Sequence, residues 1–271
     1  MKKLRKITKS LAAGTAAAVL LTAYPLPAGA EEVTAGVPES PWVSEWQEGD
    51  AYSVSEDAYQ IYPVPQSVDY TGSEGAAFVL PDEVAVVAGE NIDEPTLDYL
   101  EEVLGEYGRT GQPAEKAEGE GNIVIGVLGT GDQADLWFRE KGLDTEMFDQ
   151  PDAYALYAEE GNIYILGKDT DAAFRGVATL KMMFSSFAGE RFLPVRILDY
   201  ASIDARGYIE GFYGGWTHEQ RKSLMEFTRD IKMNIYVYAS KTDPYHTSKW
   251  AELYPDDMIG EFRELTALQE E

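Results

Sequence analysis

Between residues 92 and 107 the apolar positions Leu97, Leu100, Val103 and Leu104 recur at three- and four-residue intervals, which places them on one face of a helix over Ile92 to Tyr107. The same period returns over Asp171 to Phe187, where Ala173, Val177, Leu180 and Phe184 form one stripe. Between these helices the pattern is that of strands. Ala77 to Leu80 and Val84 to Ala88 are short apolar runs, and Asn122 to Leu128 is a β-branched run bounded by glycine. Ala153 to Ala158 and Asn162 to Leu166 flank Glu159-Glu160-Gly161, a hairpin in which Gly161 supplies a positive φ. Ahead of them, Ile61-Tyr62-Pro63-Val64-Pro65 is an extended entry, because its prolines bar helix and central strand. Strands with helices laid over them predict an α/β sandwich over residues 58–202, of ordinary domain size. It carries no catalytic constellation and has the character of a scaffold.

The pattern changes after residue 202. Gly207 to Glu210 is a short strand that runs into Gly211. Thr217 and Gln220 have the spacing of a capping box, and Leu224, Phe227 and Ile231 make the expected buried stripe of a helix ending near Lys232. Asn234 to Ala239 is an almost continuous apolar strand, as expected where both sheet faces are covered. Strand, helix and parallel strand make one βαβ unit, and a second helix opens at Pro255-Asp256-Asp257. One such unit cannot close a barrel, which takes about 250 residues. The expectation for residues 203–271 is therefore the start of a larger α/β domain, in a fragment or truncated gene product.

The first thirty residues form no part of this fold. Lys2, Lys3, Arg5, Lys6 and Lys9 precede the apolar run Leu11 to Ala23, and Pro27-Ala28-Gly29-Ala30 ends in a small-residue cleavage pattern. Together these describe a secretory signal peptide over residues 1–30, followed by a polar, aperiodic leader over 31–57 that contains Trp42 and Trp46. No other segment is apolar enough to span a bilayer, so no stable membrane insertion is expected after cleavage. Removing five basic residues takes the formal charge from -26 to -31. Such a chain is repelled by phosphate backbones and anionic lipids, whereas a neutral glycan carries no such penalty. With no cysteine, disulfides, thiolate metal sites and cysteine nucleophiles are excluded together. His218 and His246 are the only histidines, too few for a histidine-based zinc site. No metal or cofactor is expected.

The most informative stretch is Gly207-Tyr208-Ile209-Glu210-Gly211-Phe212-Tyr213-Gly214, then Trp216 and His218-Glu219-Gln220-Arg221, followed by Met233-Asn234-Ile235-Tyr236-Val237-Tyr238-Ala239, Lys241 and Asp243-Pro244-Tyr245-His246. It resembles the opening of the catalytic barrel of glycoside hydrolase family 84, the protein O-GlcNAcases and the bacterial enzymes often labelled hyaluronidases. The upstream region, with Tyr62-Pro63-Val64-Pro65-Gln66 and Phe174-Arg175-Gly176-Val177-Ala178-Thr179-Leu180, is similar to the α/β domain that precedes the barrel in such hexosaminidases. The resemblance covers nearly all of residues 59–271. It implies an N-terminal α/β sandwich followed by the first two β/α units of a truncated (β/α)8 TIM barrel, in a secreted or cell-surface bacterial β-N-acetylglucosaminidase.

In a β/α barrel the working residues stand at the carboxyl ends of strands. Gly211 ends the first strand and Lys241 follows the second, and adjacent strands lie about 4.8 Å apart. A glycine lets a sugar ring approach the backbone, and a lysine donates hydrogen bonds to hydroxyls. The resemblance gives Gly211 and Lys241 the binding of a terminal N-acetylglucosamine. Tyr213 is a further candidate, as a stacking surface, and Asp243 another, as an electrostatic brace for Lys241. Two departures touch the loops. The family's Pro-Lys-Asp-Asp run is Ser240-Lys241-Thr242-Asp243 here, and Gly214-Gly215-Trp216 is one residue shorter and lacks a proline.

The resemblance implies retaining, substrate-assisted hydrolysis, in which the 2-acetamido oxygen attacks the anomeric carbon. One Asp polarises the acetamide and its neighbour serves as general acid and then base, an exception to the two-carboxylate scheme. That Asp pair follows the fourth barrel strand in the family, and is expected beyond Glu271. Asp256-Asp257 opens a helix, where acidic residues complement the dipole, and Asp82-Glu83 and Glu101-Glu102 are read as solvated faces. Two other readings compete: a non-catalytic glycan-binding or interaction module built on the α/β domain, and a different N-acetylhexosaminidase or chitinase-like barrel.

Overall fold

A computed structural model describes residues 58–72 and 76–270; the expected signal peptide and leader, with Trp42 and Trp46, lie outside the described residues. Strands β1 (Ser67–Tyr70), β2 (Glu83–Ala88), β3 (Thr110–Pro113), β4 (Asn122–Val127), β5 (Tyr154–Glu159), β6 (Asn162–Gly167) and β7 (Val195–Asp199) make one mixed sheet, in the order β1-β7-β5-β6-β4-β2-β3. The strands β3, β2, β4 and β6 run parallel, and β5, β7 and β1 are added in turn, each antiparallel to its neighbour. Every residue of β4, β5 and β6 is buried, because the sheet is covered on both faces. Helices α1 (Glu94–Glu106) and α3 (Thr170–Ser186) take one face, where Ile163 and Ile165 of β6 join Leu100, Val103, Val177 and Leu180. Helix α2 (Gln133–Glu140) takes the other, where Tyr164 and Leu166 meet Phe138. The period of two along β6 thus feeds two separate cores.

Each of these helices opens on an aspartate whose carboxylate accepts from a backbone N–H: Asp93 from Thr96 at 3.1 Å, Asp132 from Asp135 at 2.8 Å and Asp169 from Ala172 at 2.9 Å. Asp132 does more than cap. Its carboxylate also takes the N–H of Val127 at 3.0 Å and the hydroxyl of Thr130 at 2.8 Å. A Cβ added to Gly89 or Gly126 would stand 2.3 Å from its oxygens, so the glycine-rich turn after β4 is wrapped around its own carboxylate.

Three strands and one helix go beyond the sequence reading. β1 and β3 are four-residue edge strands, too short to establish a period and with mostly exposed side chains, and α2 is only eight residues long. β7 alternates Val195, Ile197 and Asp199 inward. The strand expected over Ala77 to Leu80 reduces to a single bridge between Phe78 and Phe192.

The C-terminal part is a second, two-stranded sheet. Strand β8 (Gly207–Glu210) leads through helix α4 (His218–Asp230) to a parallel strand β9 (Ile235–Tyr238), and helix α5 (Asp256–Glu270) follows. The capping box forms: Thr217 accepts from the N–H of Gln220, whose side chain accepts from the N–H of Thr217. Two expectations are corrected here. β9 is covered on one face only, with Ile209 of β8 and Val237 of β9 59% and 43% exposed on the other. Phe227 of α4 is 57% exposed, so the helix buries Arg221 and Thr228 instead of the predicted apolar stripe. Polar contacts carry its attachment.

Those contacts join α4 to the larger domain. Lys232, in the left-handed conformation (φ 63°) just past α4, sends its ammonium into the seam, to the Asp199 carboxylate at 2.9 Å and the Tyr154 hydroxyl at 2.8 Å. Tyr154 in turn contacts Thr179 at 2.5 Å. Farther along, Asp230 accepts from the Tyr99 hydroxyl at 2.7 Å and pairs with Lys181 at 2.9 Å. Glu102, exposed as expected, also takes two bonds from Arg229, at 2.7 and 3.1 Å. Among the described residues no helix is long and apolar enough to cross a membrane.

Candidate functional site

The parallel register of β8 on β9 aligns Glu210 with Tyr238, so Gly211 and Ala239 leave the sheet side by side. The two segments that follow are laced together. The N–H of Lys241 donates to the carbonyl of Phe212 at 3.2 Å, and the N–H of Gly215 to the hydroxyl of Thr242 at 3.3 Å. Gly211 itself is unconfined: a Cβ there would meet only the Ile209 side chain, at 3.8 Å. Lys241 is exposed, and its ammonium lies 5.4 Å from the centre of the Tyr213 ring, which is 77% exposed. A cation over an aromatic face at this distance is attracted to it. Gly211, Tyr213 and Lys241 therefore gather on one rim.

Asp243 does not join them. Its side chain is buried, and its carboxylate accepts from the hydroxyls of Tyr238 at 2.7 Å and Tyr254 at 2.9 Å and from the N–H of Tyr245 at 2.8 Å. The brace expected for Lys241 is instead the hub of the β9–α5 connection. Burial opposes ionisation of Asp243, but these donors outweigh it and hold the pKa below its ordinary value. Burial and the bond to Asp243 push the Tyr254 phenol up to about 12. His246 packs edge-on against Tyr238, and Trp250 is 78% exposed.

The residue that the sequence reading passed over is Glu210. It is fully buried and holds Arg221 of α4 with both oxygens, at 2.8 and 2.9 Å. It also accepts from the Tyr236 hydroxyl at 2.6 Å and the N–H of Trp216 at 2.9 Å. Burial works against its charge, yet Arg221, Tyr236 and Trp216 together keep its pKa below the ordinary value. Burial and the bond to Glu210 raise the pKa of Tyr236 in turn. Gly215 presses against the same group, since a Cβ there would lie 2.6 Å from Ser240 Oγ and 2.8 Å from Glu210 Oε1. The turn that carries Gly211 is thus nailed at its far end by a buried carboxylate. A glutamate in a strand and an arginine eleven residues on, in the helix that packs over it, was the available signal.

These charges define what the rim can do. It offers open backbone, an ammonium group and an aromatic face, the donors and surfaces a pyranose uses. It does not offer a proton: Glu210 and Asp243 are both committed and held ionised. Asp256 and Asp257 sit in the first turn of α5, as their spacing predicts. Among the described residues no cluster of three or more His, Asp or Glu side chains is arranged to hold a metal ion.

Two family models match the chain. A family described as glycosyl hydrolase family 20, domain 2, matches residues 58–200, and one described as beta-N-acetylglucosaminidase matches residues 206–271. The protein O-GlcNAcase of Rattus norvegicus is 45% identical over 49 residues, which are 18% of this chain and 5% of that one. The solved structure of CpGH84D superposes with a TM-score of 0.71 at 36% identity, covering 78% of this chain and 36% of that chain. CpGH84B gives a TM-score of 0.64 at 29% identity, covering 79% and 35%. The chain thus spans about a third of the solved proteins it matches.

Proposed function

Because the chain belongs to the hexosaminidases of the family 84 type, with the family 20 domain 2 ahead of the β-N-acetylglucosaminidase segment, we propose that it serves an exported bacterial β-N-acetylglucosaminidase as the part that holds the terminal sugar. Its partners are N-acetylglucosamine-containing glycans or glycoproteins, and not nucleic acid. Export rests on the basic, apolar and small-residue succession of residues 1–30. The sugar role rests on one observation above others: the Lys241 N–H bonded to the Phe212 carbonyl, which sets the open backbone of Gly211 and the Lys241 ammonium on a single rim. There the Gly211 carbonyl accepts from a ring hydroxyl, the Lys241 ammonium donates to others, and the Tyr213 ring offers an apolar face.

The reaction served is retaining hydrolysis assisted by the substrate. The acetamide oxygen displaces the leaving group at the anomeric carbon and water then opens the ring so formed. It needs one carboxylate to polarise the acetamide and another to protonate the departing oxygen. The rim carboxylates Glu210 and Asp243 are spent on arginine, tyrosine and backbone donors, so neither supplies that proton. A polypeptide of residues 31–271 accordingly binds the sugar without cleaving it. Saturation-transfer NMR with N-acetylglucosamine, run beside an aryl N-acetylglucosaminide assay, tests both halves. Transfer that vanishes in Lys241→Ala, with no aryl release, is expected. Loss of nothing in Lys241→Ala sinks the sugar site, and clear turnover sinks the non-catalytic assignment.

A further inference from the structure

A second constellation lies at the entry end of β8, away from Gly211. Arg175, in the second turn of α3, makes no hydrogen bond or ion pair with any described residue, and its Nε is buried without a partner. Its guanidinium instead lies 5.5 Å over the Phe174 ring. An arginine cannot discharge itself by losing its proton at any ordinary pH. Nearly all buried polar groups find a partner, so a guanidinium left with unused donors calls for an acceptor.

The surroundings say which kind. Arg175 lines a hollow of about 270 Å3 between the large sheet and the lead-in to β8, together with Arg206, Lys232, Asp152 and Asp199. Arg206 is spent: it pairs with Asp152 and donates to the carbonyls of Ile203 at 2.7 Å, Asp204 at 3.1 Å and Lys232 at 3.1 Å. Lys232 is spent on Asp199 and Tyr154. Two carboxylates of the wall thus bond two of the three cations, and Arg175, which feels the charges of Asp152 and of Asp171 one turn back on α3, is the one left without a hydrogen-bond acceptor. The hollow exceeds several-fold the ~30 Å3 share of a single water. Val64 and Ile203 give it an apolar lip. A dianion such as phosphate would meet Asp152 and Asp199 in the wall, whereas a monoanion meets less repulsion there and a planar carboxylate matches the guanidinium fork.

We propose that this hollow binds a small organic carboxylate, with Arg175 as the group that takes it. The carboxylate comes from a free organic acid or from a uronic acid of a glycan, and the site is independent of the sugar rim. Ligand that binds only the folded chain raises its stability, by about a hundredfold in the folding constant at a hundred times Kd. Melting of the full chain in acetate, glucuronate and neutral glucose, at one ionic strength balanced with chloride, provides the test. A saturable rise with glucuronate and acetate alike is expected for a bare carboxylate site, and a rise with glucuronate alone for a uronate site. Glucose leaves the melting point unmoved, and Arg175→Met abolishes the response. Titration of the wild-type chain by 15N NMR covers the case in which that variant fails to fold, because the Arg175 Nε–H signal, assigned with Arg175→Lys, must shift saturably with the carboxylate. No saturable response to either carboxylate, an equal response in Arg175→Met or an unmoved Nε–H signal overturns the proposal.

Discussion

The carboxylate of Glu210 grips the guanidinium of Arg221 with both oxygens, and the residue that follows Glu210 is the glycine of the sugar rim. The pair is sealed from solvent on the glutamate side and fixes the turn through Trp216 and Gly215. Losing one member of a buried ion pair costs on the order of 3–5 kcal/mol, because the other is left charged and unanswered. Glu210→Gln is therefore expected to lower the unfolding free energy by that order, read as a fall in the urea midpoint, and to free the Trp216 amide to exchange. Exchange at Trp216 as slow as in the wild type would show that the carboxylate does not hold the turn.

Acid should find the same groups. Glu210 and Asp243 are both held below their ordinary values of 4.5 and 3.8, so each binds fewer protons folded than unfolded. Their stabilisation is complete above those ordinary values and is lost as pH falls through the depressed folded ones. Urea midpoints measured from pH 7 down to pH 3 should thus begin to fall below about pH 4.5. In Asp243→Asn the profile should be lower at pH 7 but flatter in acid. An equally steep acid profile in that variant would place the sensitivity elsewhere.

Two glycines four residues apart should respond in opposite ways. Gly215→Ala drives a methyl onto Ser240 and Glu210, an overpacking that costs typically 1–3 kcal/mol. Gly211→Ala meets only Ile209 at 3.8 Å, and its φ lies outside the left-handed region, so folding should be unaffected. The added methyl projects where the sugar is proposed to lie, and saturation transfer from N-acetylglucosamine should disappear. Transfer that persists at the wild-type level in Gly211→Ala would move the sugar away from this backbone.

Lys241 and Tyr213 are both exposed and should separate affinity from stability. Lys241→Ala is expected to leave the melting temperature within a degree or so, since exposed substitutions usually stay within about 0.5 kcal/mol, while weakening N-acetylglucosamine binding at least tenfold. Tyr213→Ala frees the Lys241 ammonium, a contact of about 0.5–1 kcal/mol at an exposed site, and should weaken binding by a smaller factor that Tyr213→Phe restores. Titration by NMR gives the three affinities.

Much of the architecture could be read from periodicity. The helices at 94–106 and 170–186, the 154–167 hairpin and the βαβ unit with its Thr217 capping box stand where apolar spacing and cap residues put them. What escaped did so for physical reasons. β1 and β3 lie at the edges with exposed side chains, and an edge strand has little apolar signature to give. Phe227 fits the apolar period of α4, yet the helix is held by Arg221, Arg229 and Lys232, whose partners Glu210, Glu102 and Asp199 lie 11, 127 and 33 residues away. The rim residues Gly211 and Lys241 were visible as strand ends. The commitment of Asp243 to two tyrosines was not, because Tyr254 reaches it only through the turn before α5.

The turn after β4 bears on what the large domain can be. It has the glycine spacing and helix start that in other α/β folds receive a pyrophosphate, but the Asp132 carboxylate already fills the cradle from within. A domain that supplies its own anion has closed the door to nucleotides. The loop is a keystone of the parallel strands and not a berth.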